Sequence, residues 1–155
     1  MKAVLQRVKE SSVVIDGKTV GECGNGLMIL LGVAKGDTEN DADLLAAKIL
    51  KLRIFDDENG RMNKSIVDVD GEALVVSQFT LMANYSAGNR PDYFASEAPA
   101  RANELYEYFV SLLRSGLRRV ETGEFGADMT VNIVNDGPVT IVMESEVLKK
   151  GKVKS

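Results

Sequence analysis

Two short strings hold most of the residues in this chain that are able to do chemistry. Ser77-Gln78-Phe79-Thr80-Leu81 ends an apolar run, and Asn135-Asp136-Gly137-Pro138-Val139-Thr140 separates two more. Hydroxyl, amide and backbone N–H groups at the end of a strand can be aimed together at a small ligand. Gly137 permits conformations closed to other residues and Pro138 lacks an N–H, so their peptide can present a carbonyl that no ladder partner claims. On pattern alone, Ser77 and Thr80 serve equally well to satisfy loop backbone, and the composition around Pro138 favours an ordinary trans turn.

The remaining composition limits what these strings can do. The 155 residues include no histidine and one cysteine. The usual zinc sites and every Ser-His or Cys-His nucleophilic arrangement are therefore excluded. Hydrolysis here needs another proton carrier. Cys23 cannot form an intrachain disulfide and reads as a small buried hydrophobe. A net charge of -4 argues against a broad nonspecific nucleic-acid surface, DNA included, though a local basic patch can still steer a polyanion. The glycines from Gly21 to Gly26 have the wrong spacing for a dinucleotide fingerprint, and Asp56-Asp57-Glu58-Asn59-Gly60 lacks the first Asp of a calcium loop. No metal and no cofactor is expected. With no signal-like or membrane-spanning run, a soluble, cytoplasmic protein is expected.

The elements that position the strings follow from periodicity. Ala3 to Val8, then Ser12 to Ile15 and Thr19 to Glu22 around Asp16-Gly17, read as strands with a tight hairpin. Leu27 to Val33 is a continuous apolar run between glycines, the pattern of a central strand covered on both faces. Ala42, Leu45, Ala46, Ile49 and Leu50 share a helical face, capped by Asp37 or Thr38 and ending near Leu52. Ala73 to Phe79 reads as a buried strand that places Ser77 and Phe79 on one face and Gln78 and Thr80 on the other. A second helix covers Pro99 to Ser115, with Gly116 as its stop. Met129 to Val134 and Val139 to Met143 read as two strands, and the Lys-rich residues 147–155 as a frayed tail. The prediction is one α/β domain over residues 1–146, with mixed, layered, barrel-like β-sheet and two main helices packed on one side.

The two strings, at this separation, closely resemble the signature motifs of the D-aminoacyl-tRNA deacylases, also called D-tyrosyl-tRNA deacylases. Flanking segments extend the resemblance along nearly the whole chain: Leu5-Gln6-Arg7-Val8, Leu30-Leu31-Gly32-Val33, Leu52-Arg53-Ile54-Phe55, Gly88-Asn89-Arg90-Pro91 and Thr122 to Met129. The resemblance implies hydrolysis of the ester between a D-amino acid, or glycine mischarged on tRNA-Ala, and the terminal adenosine of a tRNA. It implies a homodimer with its sites at the subunit interface, where the aminoacylated tRNA 3' end binds. There a cis Gly137-Pro138 peptide from one subunit filters chirality in the other's pocket.

Carried over residue by residue, Ser77, Gln78, Phe79 and Thr80 hold the adenosine and ester, with the Phe79 N–H as oxyanion donor. Thr80 is either a nucleophile or a group that positions the ester while the tRNA's own 2'-hydroxyl assists water. The absence of histidine favours the second. Phe125, Met129, Asn135 and Thr140 match substrate-selecting segments, and Arg7 matches a residue that braces the Gly-Pro loop. Arg114, Arg118, Arg119 and the terminal lysines are candidate phosphate contacts. Two alternatives stand beside this reading: a related deacylase that clears an L-aminoacyl error, and a non-catalytic module that binds the tRNA end.

Overall fold

In the computed structural model, which describes residues 1–152, the chain opens with a strand longer than its pattern suggested. β1 (Lys2–Ile15) joins the two expected strands into one. Asp16 and Gly17, at φ +48° and +76°, then make the left-handed turn into β2 (Lys18–Cys23). Arg7 and Val8 are both buried, so side-chain alternation breaks in mid-strand. Pairing registers shift at the same place, between Gln6 and Val8 and again before Glu10. The strand bends there. Its first half pairs antiparallel with β3 (Gly26–Gly32), its second half with β2.

β3 lies at the centre of the sheet, as its unbroken apolar run required. The order is β2-β1-β3, then β6 (Glu72–Ser77) and β7 (Val120–Thr122), both added in parallel. Leu27, Ile29 and Leu31 of β3 face one apolar cluster with Ala73 and Val75 of β6, while Met28, Leu74 and Val76 fill a second. Sheet curvature brings β2 close to β7. A Cβ on Gly21 would lie 2.1 Å from the Thr122 carbonyl oxygen, so only glycine permits the approach, and Glu22 N–H donates to Glu121 Oε1 at 3.3 Å. The result is a nearly closed, barrel-like sheet. Cys23 belongs to the inner cluster, where burial pushes its thiol up to about 11 and keeps it protonated.

α1 (Glu39–Lys51) and α2 (Pro99–Gly116) pack over the first cluster through the faces their periodicity marked, with Leu45, Ile49, Leu105, Phe109 and Leu113 buried. Thr38 caps α1 as expected, its N–H donating to Asp41 Oδ2 at 2.9 Å. The acidic turn at Asp56 to Gly60 links the short strands β4 (Phe55–Asp56) and β5 (Met62–Lys64). Within it Asp57 Oδ1 accepts the Asn59 and Arg61 N–H groups.

Two expectations about the C-terminal third need correction. The expected pair of strands there is one strand, β8 (Thr130–Glu144), antiparallel to β1 on both sides of residues 136–139. Asn135 to Pro138 is an irregularity inside the ladder rather than a connecting turn. Between the Gln6–Thr140 and Val8–Asn135 pairs β8 takes five steps against two in β1, so residues 136–139 bulge out of the ladder, which resumes at Val8 in a new register. A third helix, α3 (Ser145–Lys152), occupies much of the segment expected to be an aperiodic tail. Leu148 packs against the main cluster, and polar contacts add to it: Ser145 Oγ donates to Asp41 Oδ1 at 2.6 Å and Lys149 Nζ reaches the same oxygen at 2.7 Å. Residues 153–155 of that tail lie outside the described residues. Among the described residues, no helix is long and apolar enough to cross a membrane.

Candidate functional site

β6 ends one residue before the chemistry begins. Gln78 N–H makes a last bond to the Leu31 carbonyl at 2.8 Å, and residues Phe79–Met82 then tighten into a 3-10 turn. The expected alternation of Ser77 and Phe79 against Gln78 and Thr80 therefore fails, because regular strand geometry stops at Ser77. The turn instead brings Gln78 and Thr80 together, with Gln78 Nε2 donating to Thr80 Oγ1. Among the described residues, the N–H groups of Phe79 and Thr80 have no backbone acceptor. Of this corner, Ser77 and Phe79 line the neighbouring hollow, and Gln78 and Thr80 do not.

That hollow is a cavity of about 530 Å³ bounded by Leu31, Val33, Ser77, Phe79, Tyr93 and Phe125, with Lys35 at its edge. Its walls are chiefly apolar. Phe79 and Tyr93 meet edge to face, ring centres 5.1 Å apart, and Phe125 leans on Tyr106 at 6.1 Å. Tyr106 hydroxyl donates to the Val75 carbonyl at 2.7 Å, and burial pushes its phenol up to about 12. It remains a neutral donor supporting the strand that carries Ser77. Tyr93 and Tyr106 were not singled out in the sequence as site residues. Tyr106 showed only the helical spacing of a core residue, and Tyr93 sits in an irregular loop with no period to mark it.

The second string lies elsewhere. Arg7, 6% exposed, donates from Nε to the Asp136 carbonyl at 3.1 Å and from an NH group to the Ile54 carbonyl at 2.9 Å. It also pairs with the carboxylates of Asp56 and Asp136, each at 3.3 Å. A buried guanidinium with this many acceptors is well satisfied. It fixes Asp136, and so the exposed Gly137-Pro138 peptide, which is cis. Asn135 packs beside Gly137, its Nδ2 3.0 Å from where a Cβ would stand, and Thr140 hydroxyl donates to Gln6 Oε1. Met129 is not at either string: it packs in the inner barrel cluster.

Strand registers give the separation of the two strings. Ser77 pairs with Leu31 and Leu31 with Ala3, whereas Gly137-Pro138 lies opposite Arg7, four residues farther along β1. Four residues span about 13 Å, and β8, β1, β3 and β6 are successive neighbours at about 4.8 Å each. Within one chain the Gly-Pro peptide is remote from the cavity.

The family described as D-Tyr-tRNA(Tyr) deacylase matches residues 4–144. A D-aminoacyl-tRNA deacylase of Persephonella marina is 56% identical over 148 residues, covering 96% of this chain and 100% of that protein. One from Thermosipho africanus is 54% identical over 146 residues, covering 94% and 98%. Among solved structures, a c-Myc DNA unwinding element binding protein superposes with a TM-score of 0.88 at 42% identity, covering 93% of this chain and 98% of that one. A probable eukaryotic D-amino acid tRNA deacylase superposes at 0.78 with 17% identity, covering 92% and 98%, a likeness of fold.

Proposed function

This chain belongs to the D-Tyr-tRNA(Tyr) deacylase family and is a D-aminoacyl-tRNA deacylase, a hydrolase of ester bonds; on that premise we propose how its two strings divide the work. The Ser77–Thr80 corner holds the ester of a D-aminoacyl-tRNA 3' end, with the amino acid directed into the neighbouring cavity. Water adds to the ester carbonyl, the Phe79 N–H stabilises the oxyanion, and the bond to the ribose 3'-oxygen then breaks as that oxygen takes a proton. The tRNA's 2'-hydroxyl assists. The observation that supports this division is that the Thr80 hydroxyl, in a chain without histidine, meets only the Gln78 amide among side chains of the described residues, and an amide is no base. Thr80 positions the ester.

Selectivity comes from a second copy of the chain. The separation of the strings within one protomer supports a homodimer in which Gly137 and Pro138 of one subunit enter the cavity of the other. There their carbonyls bind the substrate amino group and exclude an L side chain, with Arg7 as brace. A filter made of backbone tests the α-carbon and ignores side-chain identity, so glycyl esters pass as well. The exposed Ile133, Val134 and Val142 of β8 suit burial in such a dimer. Work on aminoacyl-tRNA supports a cytoplasmic setting.

Purified protein incubated with D-tyrosyl-, L-tyrosyl- and glycyl-tRNA tests this reading by ester loss. The D and glycyl esters disappear and the L ester persists. Fast loss of the L ester would establish the related L-aminoacyl deacylase instead. Binding of the D ester without hydrolysis would establish the non-catalytic module.

A further inference from the structure

The segment leading away from the cavity carries two aromatic rings that face water. Tyr85 is 81% exposed and Phe94 78%, more than any other large apolar side chain among the described residues. Neither is on loose backbone. Asn84 and Asp92 exchange backbone hydrogen bonds of 2.8 and 3.0 Å, and Asn84 Nδ2 donates to Asp92 Oδ2 at 3.0 Å. Asp92 Oδ1 also accepts the Phe94 N–H at 3.2 Å, and Asn84 Oδ1 the Ser86 N–H at 3.2 Å. Phe94 directly follows Tyr93, which lines the cavity and packs on Phe79. Backbone held this way loses little freedom when a ligand stacks on the rings it carries.

The charges beside these rings are free. Lys35, at the cavity edge, and Arg90, on the same segment, are exposed and form no ion pair among the described residues. Of the cations singled out in the sequence, Arg118 pairs with Asp70 and Glu72 at 3.1 and 3.2 Å, Arg119 with Glu22, Glu72 and Glu121, and Lys149 with Asp41 and Glu146, while Arg114 donates to the Val120 carbonyl at 3.3 Å and Lys150 forms no ion pair among the described residues. The carboxylates on the same segment keep their charge but are directed at amide N–H groups rather than at Lys35 or Arg90. Asp92 is committed as above, and Glu97 accepts the Ala98 N–H at 2.8 Å.

Exposed aromatic rings beside unneutralised cations are the combination that binds single-stranded nucleic acid, through base stacking and phosphate attraction. The segment that bears both rings starts where the 3-10 turn at Phe79–Met82 ends and returns to the cavity wall at Tyr93, so it borders the place proposed for the terminal adenosine. We infer that Tyr85 and Phe94, with Lys35 and Arg90, form a stacking platform for the unpaired nucleotides adjoining the esterified adenosine. The inference rests on the deacylase reading above.

The test compares two substrates with the double variant Tyr85→Ala/Phe94→Ala: D-tyrosyl-tRNA, and D-tyrosyl-adenosine, which has no adjoining nucleotides. Loss of stacking raises KM for the tRNA about 10-fold or more with kcat unchanged. The adenosine ester is cleaved as before, and Tyr85→Phe/Phe94→Tyr retains the wild-type KM for tRNA. An unchanged KM on tRNA overturns the platform. So does an equal loss on both substrates, which would assign the rings to the cavity, and so does conversion of the double variant to monomer in sedimentation, which would assign them to a second copy. Failure of the wild-type protein to cleave D-tyrosyl-tRNA would instead sink the deacylase reading itself.

Discussion

The Ser77–Thr80 corner and the Gly137–Pro138 segment are held by different physics. The corner grows out of β6, whose residues 72–76 are all buried between two paired neighbours. Gly137–Pro138 projects from β8, most of whose residues are exposed and whose place here depends on one buried guanidinium. Packing fixes the first, a polar brace the second. On the proposed division of work, donors that must meet a developing charge gain from rigidity, whereas a segment meant for another copy must stay uncovered in its own subunit.

The largest expected effect tests the packed region. Phe79 opens the 3-10 turn with an N–H that has no backbone acceptor, so Phe79→Pro removes the proposed oxyanion donor at a position where proline is tolerated. The expected loss in kcat is about 10² to 10³-fold, beyond that of Phe79→Ala, which keeps the N–H. Equal losses in the two variants would transfer the role from the backbone to the ring.

The braced region should show a smaller effect, but one repairable in trans. Arg7→Ala frees Asp136 and displaces the Gly-Pro peptide, and a shift on the order of 1 Å costs up to about 100-fold in deacylation. Mixed with Phe79→Pro and reassembled, the two weak variants form heterodimers in which one site takes an intact corner from one subunit and an intact brace from the other. Recovery of up to roughly a quarter of wild-type activity is expected for two-fold dimers. If both strings served the same subunit, mixing would restore nothing.

The same contrast explains what was legible in the sequence. The central strand, both helices and the Asp16-Gly17 turn follow from local pattern because burial imposes a period. β8 did not, because its Asn-Asp-Gly-Pro interruption reads locally as a turn, and only pairing with distant β1 on both sides of the bulge makes it one strand. α3 escaped for a related reason: it is tied by Ser145 and Lys149 to a carboxylate about a hundred residues away, which no periodicity reveals. Of the site, the residue types were visible but the geometry was not. Gln78 and Thr80 looked like neighbours on one strand face and meet instead across a turn, and Met129, assigned to the pocket by resemblance, fills the barrel.

Thr80 separates the two accounts of the corner with a more modest change. If it only positions the ester, Thr80→Ala removes one hydroxyl from the Gln78 contact and costs about 5-fold, the worth of one neutral hydrogen bond. A D-tyrosyl-tRNA lacking the terminal 2'-hydroxyl loses about 100-fold or more, the usual share of a proton carrier in the transition state. The reverse order, with the variant inert and the deoxy substrate still cleaved, would make Thr80 the nucleophile.

The smallest effect on activity is expected from a third region that supports neither string. Burial of Asp41 pushes its carboxyl up, but hydrogen bonds from Lys149, Ser145 and Thr38, with the Lys149 charge, outweigh this and hold it at about 2, below its ordinary 3.8. A carboxyl depressed in the folded state stabilises the fold when ionised, so the contribution is complete above about pH 4 and is lost as pH falls toward 2. A shift of this size corresponds to about 2 kcal/mol. Urea unfolding of the wild type should therefore weaken by that much more than Asp41→Asn between pH 4 and pH 2, with deacylation at neutral pH unaffected by the substitution. Parallel acid curves would show that the α3 contact contributes nothing to stability. A fall in deacylation would show that the corner and the brace depend on that helix after all.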